Sequence, residues 1–129
     1  MNSYDEKYPL KDITEKIISA AIEVHSTLGP GLLESVYEEA LAYEFDLRKI
    51  NYERQKQINL RYKGKAIGIH RIDFLIEDSV ILELKAVESM NKIFEAQVLT
   101  YLNATDKKVG LLINFNVQRL KDGLKRLVV

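Results

Sequence analysis

With 129 residues, 47% of them hydrophobic, the chain is long enough to bury one core and calls for no second domain. It has no cysteine and two histidines, which excludes a disulfide framework, thiolate zinc sites and histidine-rich metal sites, so any metal would be a hard ion held by oxygen. Nineteen Lys/Arg balance nineteen Asp/Glu, which argues against an indiscriminate nucleic-acid coat, but residues 1–48 carry a net −6 and residues 49–129 a net +6. Residues 1–9 are polar, end at Pro9 and read as a flexible leader, with one domain over 10–129. They lack the basic-then-apolar pattern of a signal peptide, and the apolar runs fall far short of the roughly 20 residues that span a bilayer. The expectation is a soluble, cytoplasmic protein without a membrane partner.

From Ile13, the residues Ile17, Ala20, Ala21, Val24 and Leu28 recur at helical spacing, with Asp12 as the expected cap. Gly29-Pro30-Gly31 stops that helix and sets up a tight connection. A second helix is predicted from near Leu32 to about Lys49, with Val36, Tyr37, Ala40, Leu41 and Phe45 on its apolar side. Residues 54–62 alternate weakly and Lys63-Gly64 makes a turn into residues 65–77, which reads as a hairpin.

The segment Asp73 to Lys85 carries the most information. If residues 72–77 and 80–86 form an antiparallel hairpin centred on Asp78, Asp73 lies directly opposite Glu83. Glu83 and Lys85, two apart on one strand, leave the same face about 6 to 7 Å apart. Three ionisable groups then converge on an apolar hairpin, which costs free energy unless they are paired or bind a cation. Ile72, Phe74, Ile76, Val80, Leu82 and Leu84 are expected on one face, with Leu75 and Ile81 on the face of Asp73 and Glu83, so both sides of the sheet should be covered. A third helix is predicted over 91–105, with Phe94, Val98, Tyr101 and Leu102 on one stripe. Val109–Phe115 reads as a central strand, and 117–129 as a short strand or helix. In that last stretch Arg119, Lys121, Lys125 and Arg126, opposed by Asp122, form either a phosphate-binding patch or an ordinary solvated surface. The order is ααβββαβ plus a terminal element, an α/β fold with a central mixed sheet of about four strands flanked by helices.

Asp73, nine intervening residues and then Glu83-Leu84-Lys85 have the acid–ExK form of the PD-(D/E)xK nuclease superfamily. Gly31-Leu32-Leu33-Glu34-Ser35-Val36-Tyr37 has the GxxExxY form of a small family assigned to it, and Gln97-Val98-Leu99-Thr100-Tyr101 the QxxxY form of its exonuclease-like branch. The chain resembles that superfamily, and the GxxExxY family within it, over roughly residues 10–128. The resemblance implies a three-layer, restriction-endonuclease-like core and a nuclease hydrolysing phosphodiester bonds of DNA, or less favourably RNA. It makes Asp73 and Glu83 ligands of Mg2+ (or Mn2+), with Glu34 as a further ligand, direct or through water. Lys85 becomes the amine beside the attacking water, and Gln97 a residue that orients ligands or nucleic acid. Ile72 stands where the superfamily name has proline, which supplies no ligand.

The residues alone leave other readings open. Asp73 and Lys85 make a cross-strand ion pair in an arbitrary hairpin, Glu34 can serve only the helix dipole, and His25 reads as a capping or packing residue. Tyr37 and Tyr101 read as core aromatics with a hydroxyl on the site. The alternative function is a non-catalytic module binding nucleic acid or a protein partner. A chain this small covers little nucleic acid alone, which leaves room for a homodimer or a partner protein.

Overall fold

The computed structural model describes residues 9–129, so the leader expected over 1–9 lies, except for Pro9, outside the described residues. The elements, in order, are α1 (Lys11–Leu28), α2 (Glu34–Leu47), β1 (Tyr52–Tyr62), β2 (Lys65–Ile76), β3 (Val80–Lys85), α3 (Lys92–Thr105), β4 (Val109–Asn114), a 3-10 turn (Leu120–Gly123) and β5 (Leu124–Val128). This is the expected order, with the terminal element resolved into a turn and a strand. The five strands lie side by side in sequence order; β3 and β4 run parallel and the other neighbours antiparallel. A parallel pair needs a crossover, and α3 supplies it. The sheet therefore has five strands rather than about four. The extra one is an edge strand that buries little besides Leu127, which is why its sequence carries no clear period.

Helices α1 and α2 cover one face. Ile17, Ala20, Leu41 and Phe45 pack there on Phe74, Leu82, Leu84, Leu111 and Ile113. Helix α3 covers the other, with Val98, Tyr101 and Leu102 on Leu75, Ile81 and Leu112. Strand alternation in β3 explains the division: Val80, Leu82 and Leu84 go one way and Ile81 and Glu83 the other.

Ile72 departs from the expected pattern, packing in the α3 cluster rather than beside Phe74. Opposite Asp73, Gln55 adopts a left-handed φ of 53°. On one side of this kink the pair Arg54–Phe74 looks toward α2, where Arg54 meets Glu38 and Glu39, and on the other the pair Lys56–Ile72 turns toward α3. Asp12 is not the cap of α1. Leu10 holds the cap position without a side-chain bond, and Asp12 sits in the first turn, where its charge acts on the helix dipole. Leu28 and Val36, expected in the core, are exposed beside the connection between α1 and α2. The C-terminal cations are partly engaged within the fold: Arg126 bonds Thr14 and the Pro9 carbonyl, and Lys125 lies 3.7 Å from Glu95. Among the described residues no helix is long and apolar enough to cross a membrane.

Candidate active site

The β2–β3 hairpin has the register that centres it on Asp78: Ile76 faces Val80, Leu75 faces Ile81 and Phe74 faces Leu82. Backbone pairing stops there, and one step further side chains take over. The Leu84 amide donates to Asp73 Oδ2 at 2.8 Å and the Asp73 amide donates to Glu83 Oε1 at 3.3 Å. Each carboxylate thus satisfies an amide of the opposite strand and holds the hairpin slightly open at the two acids. Gln55, at the kink in β1, donates to Asp73 Oδ1 at 3.2 Å and to Glu38 Oε1 at 2.7 Å, tying the acid to α2.

Glu83 is 9% exposed, and burial first, then the neighbouring Asp73, push its carboxyl up to about 9; the Asp73 amide and Lys85 pull the other way. Without a cation it therefore carries a proton at neutral pH. Glu34, the first residue of α2, lies within electrostatic reach of Asp73 and Lys85. Its carboxyl is held above its ordinary value first by partial loss of water, then by Asp73 and Glu38, against the pull of Lys85. The turn before Glu34 is fixed by Tyr37, whose hydroxyl donates to the Gly29 carbonyl at 2.6 Å and accepts from the Leu32 amide at 3.1 Å. Gly31 supplies the φ of 98° that this turn needs. The Gly31, Glu34 and Tyr37 spacing has a mechanical sense: a left-handed turn, an acid at the helix start, and a hydroxyl one turn later that locks both. The Tyr37 hydroxyl is accordingly spent on the loop, not on the acids.

Lys85 is not paired with Asp73 or Glu83 among the described residues. Its ammonium sits 4.6 Å from the centroid of the Phe94 ring on α3, a cation–π contact that holds the amine beside the acids without neutralising it. Tyr101, a turn or two further along α3, feels both acids: burial first, then Glu83 and Asp73, raise its hydroxyl, which lies 3.3 Å from His70 Nδ1. Gln97 shares that helix face between Phe94 and Tyr101 but is exposed and makes no hydrogen bond to the acids among the described residues. His25, buried, bonds the Val117 carbonyl at 2.8 Å and has a structural task.

The structure thus brings Asp73, Glu83, Lys85 and Glu34 together and leaves Gln97 at the rim. Among the described residues no three acids or histidines form a ready-made metal cage. Two adjoining carboxylates, one of them buried beside the other's charge, are still a donor set that suits a hard divalent ion keeping several waters. Three contributors were not singled out from the sequence. Gln55 gave no sign. Phe94 was read only as part of an apolar stripe. Asn114 was visible as a polar residue within the apolar run 109–115: buried opposite Lys85 in the β3–β4 ladder, it bonds both the amide and the carbonyl of Val87 and so fixes the chain leaving Lys85.

No curated protein matches the chain. A family model described as PD-(D/E)XK nuclease superfamily matches residues 11–127, which takes in both helices before the sheet, the acid-bearing hairpin and the QxxxY helix. The mixed sheet flanked by helices fits the restriction-endonuclease-like fold, and the chain belongs to the PD-(D/E)XK nuclease superfamily.

Proposed function

We propose that the chain is a magnesium-dependent nuclease that hydrolyses phosphodiester bonds of DNA, and that it falls in the GxxExxY family of its superfamily. The observation that carries this reading is the reciprocal clasp of Asp73 and Glu83 at the open end of the hairpin, with the Lys85 ammonium beside it, held over the Phe94 ring and without a carboxylate partner among the described residues. Asp73 and Glu83 are the residues that would hold the ion, with Glu34 as a further oxygen donor, direct or through water. An ion held there would supply a more acidic bound water and positive charge against the phosphate.

Within that frame, Lys85 positions the attacking water and stabilises its developing negative charge, while Phe94 keeps the ammonium from collapsing onto the acids. The water oxygen attacks phosphorus in line with the leaving oxygen and gives up a proton to solvent; the P–O bond on the far side breaks, and the departing oxygen takes a proton from solvent in turn. Gln97 faces the incoming strand from α3, while Tyr101, buried beneath it, keeps its hydroxyl on His70. Asn114 and Tyr37 act through others, holding the exit from Lys85 and the entry to Glu34.

A second reading, a non-catalytic nucleic-acid-binding module, is favoured by one observation, the lack of a three-ligand cage among the described residues. Cleavage of labelled single- and double-stranded DNA and RNA with magnesium or manganese separates the two, with EDTA and a Glu83→Ala/Lys85→Ala protein as controls. Metal-dependent cutting that disappears in the variant supports the nuclease and names its substrate. Folded protein that binds but cuts nothing supports the module.

A further inference from the structure

Resting on the reading of the chain as an enzyme of DNA, we propose that the β1–β2 ribbon is a duplex-docking arm that lies in the major groove and delivers the backbone to the acids at its root. Strand β2 pairs with β3 only from Phe74 to Ile76, so among the described residues the part from Lys65 to Ile72 has β1 as its sole strand partner and continues past β3 as a two-stranded ribbon, its root packed on α3 through Ile58, Leu60 and Ile72. At about 3.4 Å per residue it reaches about 24 Å beyond the hairpin.

Its charge is one-sided. Residues 54–72, between Glu53 and Asp73, contain six Lys/Arg and no Asp or Glu, in a chain whose totals are equal at nineteen each. Two of these cations are engaged, Arg54 by Glu38 and Glu39, and Lys56 by Glu53. Arg61, Lys63, Lys65 and Arg71 have no carboxylate partner among the described residues. Arg61 meets only the Gly64 carbonyl at 3.3 Å, and Lys63 lies over the Tyr62 ring.

The two faces differ as well. The pair Ile58–His70 looks toward α3, with Ile58 in its apolar cluster and His70 on Tyr101, whereas the pairs Gln57–Arg71 and Asn59–Ile69 form the opposite, wholly exposed face. Lysines on an edge also deter strand pairing, but that task accepts either sign of charge. A stretch with no acid at all is what a polyanion selects. The major groove of B-DNA, about 12 Å wide, admits a two-stranded ribbon and the narrow major groove of A-form RNA does not. The root of the ribbon is at the site itself, because Gln55 donates to Asp73.

The test measures binding of a labelled duplex of roughly 20 base pairs by fluorescence anisotropy, in EDTA so that nothing is cut, between roughly 50 and 200 mM salt. The proteins are the full chain, a charge-removing Lys63→Asn/Lys65→Ser/Arg71→Ser variant, and a charge-keeping Lys63→Arg/Lys65→Arg/Arg71→Lys variant. Asn suits the left-handed φ of 50° at position 63. The expected result is at least tenfold weaker binding by the charge-removing protein, with a slope of log K against log salt shallower by about 0.9 for each phosphate no longer neutralised. The charge-keeping protein binds like the parent, and all three melt alike and hydrolyse a small diester such as bis(p-nitrophenyl) phosphate alike. Unchanged affinity and slope in a folded charge-removing variant overturn the arm, as does equal binding of duplex RNA. Loss of a dimer in sedimentation without loss of DNA affinity overturns it too, and assigns the ribbon to a second copy. The two readings fail separately: if the variant loses DNA and no protein cleaves, the arm stands and the nuclease falls, whereas equal binding with intact cleavage does the reverse.

Discussion

Glu83→Gln should make the metal-free protein more stable at neutral pH, although it removes a residue from the centre of the site. The ordinary carboxyl value is 4.5 and burial beside Asp73 raises that of Glu83 to about 9. A raised carboxyl means that the folded state binds the extra proton, so stability is full below 4.5 and falls as pH climbs from there toward 9. At pH 7 the unfolded chain has Glu83 ionised and the folded chain has it protonated. The two and a half units between 7 and 4.5, at about 1.4 kcal/mol each, set the burden at about 3.5 kcal/mol. Any folded value well above 7 yields the same figure. Gln is neutral, of the same shape, and can donate to Asp73 as the protonated acid does, so it removes up to about 3.5 kcal/mol of burden, a large share of a stability of roughly 5 to 15 kcal/mol. Urea unfolding in EDTA at several pH values between 5 and 8.5 reads this directly. The wild type should lose up to about 1.4 kcal/mol per pH unit through this group, and the Gln variant should lack that slope. Magnesium should then raise the melting temperature of the wild type, more so at higher pH because the ion displaces a proton, and should leave the variant unmoved. Parallel pH curves for the two proteins would refute the account of Glu83.

Three further outcomes follow from the same geometry. Lys85→Ala should lower DNA cleavage by about 100-fold or more while leaving DNA affinity in EDTA unchanged, a split between turnover and binding that a structural role for the amine would not produce. Tyr37→Phe removes the hydroxyl that joins the Gly29 carbonyl to the Leu32 amide; it should cost about 1 to 2 kcal/mol in urea unfolding and lower kcat through Glu34 with little change in DNA affinity. Asn114→Leu keeps the volume but strands the Val87 amide and carbonyl, which should cost on the order of 3 kcal/mol. An unfolding midpoint equal to wild type would show that solvent reaches those groups.

The parts of this fold that were legible in the sequence are those where one local rule acts alone. The hairpin centred on Asp78 was readable because two short apolar runs, Phe74–Ile76 and Val80–Leu82, flank the polar turn Glu77-Asp78-Ser79, and a three-residue turn admits one register. The connection before Glu34 was readable because Gly29, Pro30 and Gly31 permit little else, and two of the three do take positive φ. The side chosen by Ile72 was not, because it depends on a kink at Gln55, a residue type with no preference for the left-handed region. Nor was the placement of the Lys85 ammonium: charge pairing favoured Asp73, yet the backbone amide of Leu84 and the side-chain amide of Gln55 already occupy that carboxylate, and the Phe94 ring offers the cation an alternative. The acids are therefore held by neutral donors and the amine by a neutral ring. Had Asp73 and Lys85 satisfied each other, the site would be closed to a cation; because each is held by an uncharged group instead, the two acids stay open to a metal that displaces the Glu83 proton, and the positive charge stays open to the water and phosphate that the proposed chemistry requires.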